Sequence, residues 1–101
     1  MQPPVKKFSE ENKPKKYTIT IKPGALKALR KIPKKFAVKI DELIRSLATN
    51  PRPGGCKKLE GYSNYYRIRY ADYRVVYNVQ DEKLVVDVIS IGDRKEIYKG
   101  L

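Results

Sequence analysis

Two arginines one residue apart, Arg67 and Arg69 in YYRIRY, are followed closely by a third, Arg74 in YRVVY. Alternate residues of a strand share a face, so Arg67 and Arg69 project together. If Ala71-Asp72 forms a two-residue turn, Arg74 lies directly opposite Arg69 on that same face. Like charges opposed on a sheet destabilise it, and such an arrangement points to an anion received between them. Guanidinium forks grip phosphate in a bidentate way. Further on, GDRKEIY delivers Arg94, Lys95 and the ring of Tyr98 to one edge of the sheet, where an aromatic offers a stacking surface to an unpaired base. Lys57 and Lys58, in the preceding loop, are expected to add phosphate contacts. The same strand counting places Asp87 beside Val76, diagonal to Arg67 and Arg74, where it would hold part of the cluster. A basic strand face is often only a solvated one, but three arginines in register weigh against that reading. Tyr62, Tyr65, Tyr70, Tyr73 and Tyr77 are assigned to packing.

The rest of the composition narrows the chemistry. The chain has 101 residues, one cysteine and no histidine, and 23 Lys and Arg against 11 Asp and Glu give a net charge of +12. Lack of histidine removes the usual general base and the commonest metal ligand together, and Cys56 alone cannot build a zinc site. No metal and no cofactor is expected. The charge attracts polyanions, with nucleic acid ahead of a membrane surface, because no apolar run approaches the roughly 20 residues that span a bilayer. A polar N-terminus without an apolar core shows no secretory signal, and one cysteine supports no disulfide framework; both point to the cytoplasm.

Elements must position those residues. Residues 1–16 hold three prolines and five lysines and almost no large apolar side chains, which reads as a flexible basic arm ahead of a single domain over 17–101. Tyr17 to Ile21 alternates like a strand, and Pro23-Gly24 is read as its end. Positions 25, 26, 29 and 32 fit a short helix, broken at Pro33. Phe36, Ile40, Leu43, Ile44 and Leu47 give a second helix, stopped at Asn50-Pro51. Residues 51–64 read as a loop. Strands follow at 65–70, 73–79 and 84–91, joined by turns at Ala71-Asp72 and Asp81-Glu82. The fold expected is α+β, an N-terminal strand and a helical hairpin packed on a small antiparallel sheet, with one sheet face left wet.

The run NPRPGGCKKLEGYSNYYRIRYADYRVVYNVQDEKLVVDVISIGDRKEIY resembles the RelE branch of the RelE/ParE toxins of bacterial toxin-antitoxin pairs, with KLEG, YYRIRYADYRVVY, VISIG and DRKEIY carrying the match. With weaker support from the strand and two helices before it, the resemblance covers all but the basic arm. It implies the RelE-like microbial RNase fold with a short C-terminal helix. It also implies a toxin that enters the ribosomal A site, on the 30S subunit against 16S rRNA, and cuts mRNA there without a metal. The 2′-hydroxyl would attack the adjacent phosphate and leave a 2′,3′-cyclic end. The resemblance assigns basic catalytic positions to Arg67 and Arg69, phosphate stabilisation to Arg74, the leaving-group acid to Arg94 and base stacking to Tyr98. Well-known members carry lysine where this chain has Arg67 and Arg69. Arginine keeps its proton, so here the charge survives and the proton acceptor does not. An acidic RelB-type antitoxin is implied as partner, with promoter DNA bound only through that complex. Two rival readings stand beside it. A ParE-like inhibitor of DNA gyrase shares the fold but lacks the RNA-cutting residues, so that Arg74, Arg94 and Tyr98 together argue against it. The other is a non-catalytic RNA- or ribosome-binding module in which the same patch only holds phosphate.

Overall fold

The computed structural model describes residues 16–93. Arg94, Lys95, Tyr98, the expected C-terminal helix and all but the last residue of the basic arm lie outside them. Among the described residues the order is β1 (Thr18–Ile21), α1 (Pro23–Lys31), α2 (Lys34–Ser46), β2 (Lys57–Lys58), β3 (Tyr65–Tyr70), β4 (Tyr73–Gln80) and β5 (Val85–Asp93). Two helices thus join a five-stranded sheet of order β1-β5-β4-β3-β2, in which only the β1–β5 pair is parallel. The α+β architecture is the one expected from the sequence.

β1 ends ahead of Pro23 as expected, and Pro23 also opens α1, two residues before the expected start at Ala25, because at the first helical turn a missing N–H costs nothing and the fixed φ fits. Pro33 ends that helix, and its carbonyl accepts from Phe36 and Ala37 at 2.9 Å each, starting α2. The apolar stripes of both helices, Ala25, Leu29, Ile40, Ile44 and Leu47, bury against Ile68, Val75, Tyr77, Val79, Val86, Val88 and Ile91 on one sheet face. Each such aliphatic side chain contributes about 1.5–3 kcal/mol on burial. Tyr77 is the largest side chain in this core; its hydroxyl donates to the Pro51 carbonyl at 2.8 Å, and burial pushes its pKa well up.

The β3–β4 turn is the two-residue one expected, with Ala71 in the left-handed region at φ 55°. The next turn is longer than the sequence indicates. Gln80 pairs with Val85, leaving Asp81–Leu84 as a four-residue connection in which Leu84 also takes φ 55°. A bulge between Val76 and Tyr77 then inserts one extra residue of β5. This flips the alternation, so that Val88 and Ile91 both reach the core while Ser90 and Gly92 turn to the opposite face.

Arg52 forks onto Asp81, with Nη1 to Oδ1 at 3.2 Å and Nη2 to Oδ2 at 2.8 Å, and its Nε donates to the Tyr66 hydroxyl at 2.9 Å. The Tyr17 hydroxyl donates to the same carboxylate at 2.6 Å, and the Tyr17 N–H bonds the Ala48 carbonyl at 2.7 Å. One carboxylate therefore ties the start of β1, the loop after α2 and the β4–β5 turn. The bonds from Arg52 and then Tyr17 lower the Asp81 pKa to about 2. The unfolded chain binds this proton near the ordinary value of about 4. The stabilisation is therefore complete above that value and is lost as pH falls towards about 2. Urea midpoints of wild type and Asp81→Asn should differ at pH 5 and converge between about pH 4 and pH 2; a gap that persists at the lower pH would contradict this account.

Candidate nucleic-acid interface

The helices cover one face of the sheet, and the other carries the arginines. Arg69 is paired with Arg74, and Arg67 with Val76, so all three guanidinium side chains rise from this face within two adjacent rows. The register follows from the tight Ala71-Asp72 turn. Arg69 is exposed, and its Nε donates to the Ala71 carbonyl at 3.3 Å. Arg67 and Arg74 are half-buried, and the Nε of each is enclosed without a hydrogen-bond partner.

Val76 explains part of that enclosure. It lies on the arginine face, opposite Arg67 and two residues beyond Arg74, yet it is fully buried and stands apart from the core beneath the helices. Arginine stems lie readily across an apolar neighbour while the charged head stays wet. The valine therefore acts as a floor for the two stems, which fixes where the heads can reach.

Asp87 does not hold the cluster as the sequence count indicated. The four-residue turn and the bulge move it opposite Asn78, where it accepts from Thr20 Oγ1 at 2.8 Å and pairs with Lys22 Nζ at 3.1 Å. The remaining ion pairs among the described residues are Lys39–Glu42, Arg45–Asp41 and Arg52–Asp81. None touches Arg67, Arg69 or Arg74.

Lys57 and Lys58 form β2, a strand too short to show any alternation in sequence. Lys57 pairs with Arg67 and shares the arginine face, whereas Lys58 pairs with Tyr66 and belongs to the row on the other side. Gly92, half-buried opposite Arg74, was not singled out from sequence. β5 ends at Asp93, beside this row, and Arg94, Lys95 and Tyr98 follow it in the chain. No group of three or more His, Cys, Asp or Glu side chains able to hold a metal occurs among the described residues. Chemically, the face offers fixed cations with unpaired donors, suited to stabilising phosphate charge and unsuited to accepting a proton.

Residues 19–98 match the family model described as the ParE toxin of the type II toxin-antitoxin system, parDE. The mRNA interferase toxin RelE of Escherichia coli K12 is 36% identical over 86 residues, covering 81% of this chain and 90% of the relative. A mutant of E. coli toxin RelE in the free state superimposes with a TM-score of 0.73 at 32% identity, covering 84% of this chain and 93% of that one. The archaeal RelE–RelB complex from Pyrococcus horikoshii gives a TM-score of 0.71 at 30% identity over 79% of this chain and 97% of that one.

The enclosed, unpaired Nε atoms make the arginines a stability cost independent of any ligand. Arg67→Met keeps a stem over Val76 and removes the unpaired donor, so it should match wild-type stability or exceed it by up to about 1 kcal/mol. Polyanion binding should fall in the same variant. A urea midpoint clearly below wild type would show that the guanidinium is anchored by the protein itself.

Proposed function

Because this chain is a RelE-type toxin of the RelE/ParE superfamily, the toxin half of a type II toxin-antitoxin pair, we propose that it is a ribosome-dependent endoribonuclease that cuts mRNA in the A site. The observation that carries this reading is Arg69 held opposite Arg74 with Arg67 on the same face, none of them in an ion pair among the described residues. In the reaction the ribose 2′-oxygen forms a bond to the adjacent phosphorus as the bond to the 5′-oxygen breaks. The products are a 2′,3′-cyclic phosphate and a 5′-hydroxyl. The proton lost by the 2′-hydroxyl leaves through solvent or RNA, and the 5′-oxygen gains one. No metal takes part.

Arg74 grips the phosphate, and Arg67 and Arg69 stabilise the extra charge of the pentavalent phosphorane. Arg94 acts by charge on the leaving 5′-oxygen, and Tyr98 stacks on a neighbouring base. The 2′-hydroxyl is aligned by the geometry of mRNA on the ribosome, which supplies the orientation these arginines cannot. Lys57 and Lys95 contact RNA outside the reacting phosphate, and Lys58, whose row lies on the other side of the sheet, adds only to the surrounding charge. The domain over 17–101 performs the reaction in the cytoplasm, and the basic arm adds long-range attraction. A RelB-type antitoxin, rich in acid and folding on contact, restrains the toxin, and the pair binds promoter DNA through the antitoxin.

Primer extension on mRNA in programmed ribosomes tests this. Wild type should give A-site cuts with cyclic phosphate ends. Arg74→Ala should slow them by about 10²–10³-fold, the usual cost of one transition-state donor. Tyr98→Ala should cost about tenfold or more, from the 1–3 kcal/mol that a stacked base contributes. Intact mRNA with the wild-type protein would sink the nuclease reading. The ParE description of the matching family model makes gyrase inhibition the next assay in that event.

A further inference from the structure

We propose that Lys57 is a phosphate contact one nucleotide away from the reacting centre, and that the RNA backbone crosses the sheet towards the β2 edge. The inference rests on the RNA reading of the arginine face. β2 is the last strand of the sheet, and its pairing with β3 places Lys57 across from Arg67, in the row next to the Arg69–Arg74 pair. Strand and row spacings put its Cα about 8 Å from that of Arg69, on the outer side of Arg67, where its ammonium reaches the phosphate next to the one held between Arg69 and Arg74. Lys57 is exposed and has no ion pair among the described residues.

The opposite direction is less favourable for a polyanion. Towards β5 the row from Lys57 and Arg67 continues into buried Val76 and uncharged Ser90, and the same face carries Asp87 beyond. Among the described residues, charge on this face therefore falls from β2 towards β5, and a backbone anchored between Arg69 and Arg74 meets a further cation there by leaving over β2. Lys58 carries the same charge one residue along, but its row faces away. Position on the face, and not lysine content, is what the proposal assigns.

The test is fluorescence anisotropy with a labelled short RNA carrying 2′-O-methyl groups, which binds but cannot be cut, titrated at several salt concentrations with the full chain. Lys57→Ala should bind several-fold more weakly and lower the slope of log affinity against log salt by about 0.7, the value for one phosphate contact on a single strand. Lys57→Arg should restore both, and Lys58→Ala should weaken binding less than Lys57→Ala. Lys83→Ala, in the β4–β5 turn, should leave the slope at its wild-type value. Circular dichroism melts identify any variant that fails to fold, and Lys57→Gln replaces it in that case. Equal losses from Lys57→Ala, Lys58→Ala and Lys83→Ala would overturn the proposal in favour of diffuse charge. So would an unchanged Lys57→Ala or a wild type that does not bind. Ribosomal cleavage that fails while these binding differences hold would remove the nuclease reading and leave the RNA track standing.

Discussion

Guanidinium groups on neighbouring positions of one sheet face repel each other, and nothing within the described residues neutralises Arg67, Arg69 and Arg74. That repulsion has to be borne by the rest of the fold. The opposite face of the same strands carries Ile68, Val75, Tyr77 and Val79 into a closed core with two helices, so the strands cannot splay to relieve the charge. β4 is the strand on which both demands meet. It is paired along both edges, it carries Arg74 on one side and Val75, Tyr77 and Val79 on the other, and Val76 extends its buried surface under the arginine stems. Stability at the core and instability at the face are thus two sides of one strand, a division that active surfaces commonly show.

The bulge between Val76 and Tyr77 serves the same division. A regular β5 would place Ile91 on the basic face and Ser90 and Gly92 against the helices. With one residue inserted, the bulkier residue goes to the core and the two small ones to the face beside Arg74. The second charged cluster, around Asp81, has the opposite character. Its arginine is saturated by a carboxylate and a tyrosine, and it fastens loops where the first cluster stays open.

What could be read from sequence divides along physical lines. The arginine register was legible because the flanking strands alternate strongly and a two-residue turn admits one pairing. The helices were legible from their apolar spacing, with the first beginning at Pro23 and not at Ala25. Asp87 was misplaced because a four-residue turn with Leu84 in the left-handed region leaves no signature as clear as Asn-Gly, and a bulge has none at all. β2 was hidden because two lysines show no alternation, and the Arg52–Asp81 network because it joins residues 29 positions apart. The candidate face was therefore visible in its centre and invisible at its edges, where long-range pairing decides.

The parallel pair of β1 and β5 sets an order of events as the chain is made. Thr20 and Asp87 are 67 positions apart, and their strands close the sheet on the side away from β2. Contacts between such distant segments form late, because the intervening loop must be closed before they are rewarded. The arginine hairpin precedes β5 in the chain, and until β5 pairs it lacks the strand that backs β4 and the helix contacts that β5 brings. A ribosome synthesising this chain will have passed Ile91 before the basic face acquires a firm sheet beneath it. Until β5 is paired, the face that carries Arg67, Arg69 and Arg74 has no completed sheet behind it.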